Sequence, residues 1–165
     1  MTTVPAGWAP IVAAPLAVGT TARAWAYYHV VGNAAAEPAS YRWVLSARQK
    51  WSGLVTAFSG VDNATPFDTA TSSAVRTTAG TTLAVPGVTT VTPGAMLIGG
   101  IGLSNPGTSA TPPSGWTVVS DSLSTQRTVL ADRLTTAAGA SGTMTWTLSK
   151  STIAGGWLTA LRPAP

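Results

Sequence analysis

Side chains that could carry out acid–base or nucleophilic chemistry are scarce in this chain, which has one histidine, five carboxylates and no cysteine among 165 residues. A Ser–His–Asp relay would have to use His29, yet no Gly-x-Ser-x-Gly nucleophile motif is present. His29 also has no second His or Cys at metal-ligand spacing. Glu37 stands beside Pro38 in a predicted loop and has no obvious partner for a two-carboxylate glycosidase site. We therefore predict a non-enzymatic protein.

Oxygen-rich and glycine-rich stretches lead to the same prediction. Asp62, Asn63 and Asp68 could offer oxygen ligands to calcium, but Asp-Asn after Gly60-Val61 is typical of a turn whose side chains bond their own backbone. The glycines at 99, 100 and 102 lie in an apolar run without the lysine of a phosphate-binding loop. The sequence predicts no metal site and no cofactor.

Aromatic side chains are the remaining candidates for binding chemistry. Four of them could stack on sugar rings without any titratable group: Trp25, Tyr27, Trp51 and Trp157. Aromatic residues and arginine are also enriched at the centres of protein–protein interfaces, so the sequence does not choose between sugar and protein. The predicted interface or ligand surface comprises Trp25, Tyr27, Arg48, Lys50 and Trp51.

The charge pattern narrows the possible partners. Charged residues make up 8% of the chain, and its nine Lys and Arg residues are scattered from Arg23 to Arg162. Nucleic-acid binding needs basic residues grouped so that several phosphates are neutralised together. The best apolar run, Ala95–Leu103, contains three glycines and is far shorter than the roughly 20 residues of a membrane helix. We predict neither nucleic-acid binding nor membrane insertion.

Short apolar segments separated by turn residues must position these side chains. Seventeen Gly, twelve Pro and many Thr and Val residues disfavour helix and indicate an all-β fold. Pro38 cuts short the one helix-like stretch, at 34–36. The predicted strands are 22–31, 40–46, 52–59, 81–85, 95–103, 117–120, 128–135, 142–149 and 154–161.

An internal repeat organises these strands into two halves. Pro5-Ala6-Gly7-Trp8 recurs 108 residues later as Pro113-Ser114-Gly115-Trp116. From Arg23 onward the offset is 103, so that Trp43-Val44-Leu45-Ser46 aligns with Trp146-Thr147-Leu148-Ser149. The difference predicts five extra residues in a loop of the first copy. We infer a duplication with two related β-sandwich-like, jelly-roll-like units, at residues 1–70 and 71–165.

The repeated residues have structural explanations. Pro-x-Gly-Trp predicts a turn in which glycine takes a conformation that other residues resist, and it delivers a tryptophan to the start of a strand. In the repeated strand that contains Trp43 in the first copy and Trp146 in the second, alternate residues share one face, which predicts that this face belongs to the core. The predicted turn and core residues are Gly7, Trp8, Trp43, Gly115, Trp116 and Trp146.

The two copies differ in their leading strands. Two predicted strands, 81–85 and 95–103, precede the second Pro-x-Gly-Trp turn, whereas only residues 1–4 precede the first. A first unit without these strands exposes unpaired backbone groups along a sheet edge, and such edges recruit partner strands. We expect a neighbouring chain, or a strand borrowed from residues 72–91, to complete the first unit.

Several of these motifs together resemble a known group of proteins. Pro5–Trp8, Tyr27-Tyr28, Glu37–Tyr41 and Ser59–Asp62 followed by Pro66 resemble β-rich repeats of actinobacterial surface proteins and their bacteriophages. Two further stretches, 84–90 and 161–163, are similar to the second copy in that group. The resemblance implies a virion or surface structural role, such as a capsid decoration, minor capsid or tail-associated protein.

The prediction is therefore a non-enzymatic virion structural protein that associates with itself and with a capsid or tail protein. Apolar strands and low charge favour binding through shape and backbone pairing over long-range electrostatic attraction. The alternative is a glycan-binding or host-adhesion module, which would place the protein on the virion or on a cell surface, or in a secreted form.

Overall fold

The structure, a computed structural model, describes residues 1–20 and 22–165 and is nearly all β, which confirms the predicted fold class. A 3-10 turn spans Ala34–Ala36. The strands are β1 (Ala9–Pro10), β2 (Leu16–Val18), β3 (Ala22–Ala24), β4 (Tyr27–Tyr28), β5 (Ser72–Val85), β6 (Thr89–Thr90), β7 (Met96–Leu103), β8 (Ala110–Thr111), β9 (Thr117–Leu123), β10 (Arg127–Leu134), β11 (Gly139–Ala140) and β12 (Met144–Leu161).

One antiparallel six-stranded sheet dominates the second half of the chain. Its strand order is β5-β12-β7-β10-β9, with β8 also paired to β12. The 18-residue β12 has register shifts between Thr147 and Ala154 that divide it into two parts. The first part pairs with the end of β5 and with β8, and the second part lies between the start of β5 and β7. β12 is therefore an interior strand of this sheet and pairs with three others.

The hydrophobic core is built on this sheet. Trp146, Leu97 and Ile101 are at most 1% exposed, and burying each such side chain stabilises the fold by about 1.5–3 kcal/mol. In the first part of β12, buried residues alternate with exposed ones, because successive side chains of a strand point to opposite faces. Most of the buried apolar residues of the second half form one continuous cluster, which does not include Ile98 and Leu130.

The first half of the chain departs from the predicted strands. The predicted strand 22–31 is broken into β3 and β4, 40–46 keeps only a bridge between Val44 and Thr3, and 52–59 forms no strand. A strand persists only when its backbone groups are paired, and the chain offers these segments no adequate neighbour. In the second half, the predictions 142–149 and 154–161 join into β12, and β5 begins at Ser72, earlier than the predicted residue 81.

The hairpin β2–β3 of the first half packs onto the large sheet at glycine positions. A Cβ atom at Gly155 would lie 2.8 Å from Val18 Cγ2 and 3.2 Å from Leu16 Cβ, and one at Gly102 would lie 3.1 Å from the Cβ of Ala24. Leu16 and Val18 are buried by this contact. Glycine is needed here because any side chain on the sheet would push the hairpin away.

We predict that Gly155→Val destabilises the fold by about 1–3 kcal/mol, because the new side chain overlaps Val18 and Leu16. Urea unfolding of the purified chain measures the change. Gly32→Ala is the matched control, since a Cβ atom there would have no neighbour within 4 Å. Equal stability of both variants would show that the hairpin does not press on the sheet at Gly155.

Candidate assembly surface

The two Pro-x-Gly-Trp turns have the same geometry. Gly7 and Gly115 both have φ of 82°, in the region that favours glycine. In each turn the backbone N–H of the tryptophan donates to the backbone carbonyl of the proline at 3.3 Å, from Trp8 to Pro5 and from Trp116 to Pro113. The recurring residues therefore adopt one local structure at both places.

Strand pairing next to these turns also recurs at the two offsets. The isolated bridge Thr3–Val44 has its counterpart in the pairing of Thr111 with Thr147, 108 and 103 residues later. β1 pairs antiparallel with β4, as β9 pairs with β10. At the two offsets the Ala9–Tyr28 pair corresponds to Thr117 and Ala131, whereas Thr117 pairs with Asp132, one residue further along β10. That displacement adjoins a register shift in the β9–β10 pairing.

Aromatic side chains hold the first half together in place of a sheet. The ring of Trp8 lies 5.3 Å from Trp43, 5.1 Å from Tyr41 and 5.6 Å from His29, and Tyr27 lies 5.0 Å from Trp43. We call these five residues the aromatic cluster. Trp43 is only half-buried here, whereas its repeat counterpart Trp146 is fully buried in the main core. The predicted core role of Trp43 is thus in a small local cluster, outside the large core.

His29 is fixed inside this cluster by hydrogen bonds on both ring nitrogens. Nδ1 lies 2.9 Å from the Gly7 carbonyl and Nε2 lies 3.1 Å from the Glu37 carboxylate, which also accepts from the Tyr41 hydroxyl. These acceptors, the Gly7 carbonyl first, raise the pKa of His29 above 6.5. The hydrogen bonds from Tyr41 and His29 lower the pKa of Glu37. His29 therefore has no free nitrogen to activate a nucleophile.

Sequence reasoning missed Glu37 as the partner of His29. The 3-10 turn at Ala34–Ala36, capped by the Asn33 side chain, turns the chain so that Glu37 comes back to the histidine. The spacing of His29, Glu37 and Tyr41 was the only indication in the sequence that these side chains could meet, and they do so because of that 3-10 turn. The group is a structural clamp between the Pro-x-Gly-Trp turn and the segment that follows residue 37.

Residues 45–59, which we call the free segment, are the most unusual part of the first half. No backbone–backbone hydrogen bond joins them to any other residue in the ranges 1–20 and 22–165. From 51 to 59, exposed and half-buried residues alternate strictly, with the two-residue period of an extended chain. The exposed positions include Val55, at 75%, and Trp51, at 65%.

Polar contacts near its middle and just past its C-terminal end hold the free segment in place. The Ser52 hydroxyl lies 2.8 Å from that of Thr128, and Thr125 Oγ1 donates to the Trp51 carbonyl, both beside the turn that joins β9 and β10. Just past its C-terminal end, Gly60 O accepts from Ala164 N at 2.8 Å. The segment is thus held in place while its backbone groups, apart from the Trp51 carbonyl, stay available for pairing.

The predicted residues Arg48, Lys50 and Trp51 come together at the start of the free segment. With Gln49, Ser124 and Thr125 they line an open cleft of about 440 Å³, which we call the cationic cleft. Trp25 is 36% exposed and Tyr27 packs in the aromatic cluster, so neither lines the cationic cleft. Trp157 lies against Gly100, where its ring would be 2.6 Å from an added Cβ.

The acidic residues considered for calcium have structural partners. The Asp62 carboxylate accepts hydrogen bonds from Ala64 N, Thr65 N and the Thr65 hydroxyl, which confirms the predicted turn. Buried Asp68 accepts from the backbone N–H groups of Val91 and Thr92. Among the residues that the structure describes, no group of three or more His, Asp or Glu side chains could hold a metal ion, and no helix is long and apolar enough to cross a membrane.

Comparisons of this chain with protein-family models, with curated proteins and with solved structures found no match.

We predict that the His29–Glu37 pair makes stability depend on pH. Because the folded-state pKa of His29 is raised, its contribution is complete below pH 6.5 and is lost as the pH rises through the folded-state value. The lowered pKa of Glu37 makes its contribution complete above pH 4.5 and lost as the pH falls through its folded-state value. Thermal unfolding of wild type and His29→Gln across this range should give a difference that is largest between pH 4.5 and 6.5.

Tyr41→Phe is the control for this measurement, because it removes the hydroxyl bond to Glu37 but keeps the ionisable histidine. Its profile should retain the decline in stability above pH 6.5 that His29→Gln lacks. Parallel profiles for wild type and His29→Gln would contradict the assignment.

Proposed function

We propose that this protein is a non-enzymatic structural component that works by assembly, and that the first unit is its docking surface. The single observation that carries the proposal is the free segment, which is held at Trp51, Ser52 and the adjoining Gly60 but makes no backbone–backbone hydrogen bond in the described chain. An extended segment with unpaired backbone N–H and C=O groups is a template on which another strand can pair, as the edge strand of a sheet is.

The proposed duplication explains why the first unit should be short of strands. The shared turn geometry, the repeated bridge and the corresponding β1–β4 and β9–β10 pairs all support two copies of one plan. On that plan the second copy, residues 71–165, is a complete β-sandwich-like unit, and the first copy, residues 1–70, lacks the equivalents of β5 and β7. The jelly-roll-like connectivity of the second copy is part of the same proposal.

The assembly that we propose is a virion, in which the protein would be a capsid decoration, minor capsid or tail-associated component. The resemblance to actinobacteriophage repeats supports this setting. The low content of charged residues fits a protein that binds neighbours through strand pairing and apolar contact.

The assembly function predicts that the purified chain associates weakly with itself, since a free strand finds another free strand when its natural partner is missing. Light scattering after size-exclusion chromatography should give an average mass that rises with concentration. Val55→Lys should reduce the association, because it places a charge in the middle of the free segment.

Val91→Lys is the matched control for this test. Val91 is 65% exposed and follows β6 in the second unit, so its substitution should leave the association unchanged. A wild-type chain that stays monomeric at every concentration would contradict the assembly function.

Glycan binding is the second candidate, and the cationic cleft favours it. Its exposed Trp51 ring could stack on a sugar, while Arg48 and Lys50 would select a carboxylate- or phosphate-bearing glycan. On a glycan array, Trp51→Ala should abolish binding and Trp25→Ala should preserve it, because Trp25 does not line this cleft. No binding by the wild-type chain would eliminate this candidate.

A further inference from the structure

The repeat identifies which strand of the second unit the free segment corresponds to. At the offset of 103 residues, β12 aligns with residues 41–58, which include most of the free segment. β12 is flanked by β5 on one edge and by β7 on the other. The part of β12 that lies between β5 and β7 is Ala154–Leu161 and aligns with residues 51–58, which have lost both of these neighbours, whereas Val44 keeps the counterpart of the β8 pairing in its bridge to Thr3.

The other strands of the second unit do have equivalents in the first. β10 aligns with residues 24–31, which contain β4, and β9 aligns with the segment that begins at β1. In the second unit β7 lies between β10 and β12. On this plan the first unit lacks the strand that would lie between residues 24–31 and 51–58, and it lacks a second strand on the far side of residues 51–58.

We propose that the first unit accepts a donor strand pair of the β5–β7 type, supplied by a polypeptide segment outside residues 1–165. The inference rests on the proposed assembly function and specifies its partner. The donor would place one strand between the β4 region and the free segment and the other strand on the opposite edge of the free segment.

A second copy of this chain does not fit as the donor. Residues 1–165 contain two segments of the β8–β12 type and only one β5–β7 pair, which the second unit already uses. If one copy gave its β5 and β7 to the first unit of another copy, its own second unit would lose both strands. When two copies associate, the free segment can therefore pair only with strands other than β5 and β7. The position of the missing strand beside the β4 region then stays unfilled.

The second unit shows what chemistry the donor strand needs. β7 carries no charge, and its Leu97, Ile101 and Leu103 are buried. Gly100 of β7 lies beneath the ring of Trp157, where a Cβ atom would be only 2.6 Å from the ring. The first-unit counterpart of Trp157 is the smaller Leu54, which is half-buried. The donor should thus be an uncharged apolar strand that tolerates a side chain where β7 requires glycine.

A chain with its own β5–β7 segment duplicated tests the proposal directly. Residues 72–108 are added in front of Met1, because residue 1 aligns with residue 109 at the offset of 108 and the natural spacing is then preserved. Hydrogen–deuterium exchange followed by mass spectrometry should show the amides of residues 51–58 slowed by about 100-fold relative to the parent chain. The added segment itself should become protected, and self-association should disappear.

The matched control carries Leu97→Asp and Ile101→Asp in the added segment only. It should leave residues 51–58 exchanging as fast as in the parent chain, because charged residues cannot enter the apolar gap. Rapid exchange at residues 51–58 in the unsubstituted fusion as well would overturn the donor assignment, as would equal protection in the control.

The outcomes separate the donor assignment from the assembly function. Concentration-dependent association of the parent chain without protection in the fusion would overturn the donor alone. A parent chain that is monomeric and already protects residues 51–58 as well as β12 would overturn both.

Discussion

Pairing of backbone N–H and C=O groups with a neighbouring strand is the constraint on which this structure depends. β12 satisfies it on both edges through β5 and β7, and the buried core forms around that pairing. Residues 41–58, which share several residue types with β12 at the offset of 103, have no such neighbours in the part of the chain that the structure describes. Similar residue patterns therefore lie in a long paired strand in one half and in a largely unpaired segment in the other.

The first half remains ordered because other interactions replace the sheet. The aromatic cluster fixes the Pro-x-Gly-Trp turn against residues 41–43, and the His29–Glu37–Tyr41 hydrogen bonds clamp the intervening loop. The β2–β3 hairpin meets the large sheet where Gly155 and Gly102 allow a close approach. The free segment itself is held beside the β9–β10 turn by the contacts of Trp51 and Ser52 with Thr125 and Thr128.

The cationic cleft and the free segment share Trp51, so the two candidate functions compete for one region of the surface. A tryptophan that is 65% exposed beside Arg48 and Lys50 suits an anionic sugar, and it equally suits the rim of a protein interface. The unpaired backbone separates the two possibilities physically, because a sugar would leave the free segment unpaired whereas a strand would not.

The amino-acid sequence by itself determined the β class, the Pro-x-Gly-Trp turns and most strands of the second half, since turn residues and alternation act locally. It also indicated that Arg48, Lys50 and Trp51 belong to one surface. Only the tertiary structure decided that residues 40–46 and 52–59 form no regular strands, and that Glu37 reaches His29. Alternation shows that a segment can be a strand, whereas its pairing depends on neighbours distant in sequence, and the first half of this chain lacks them.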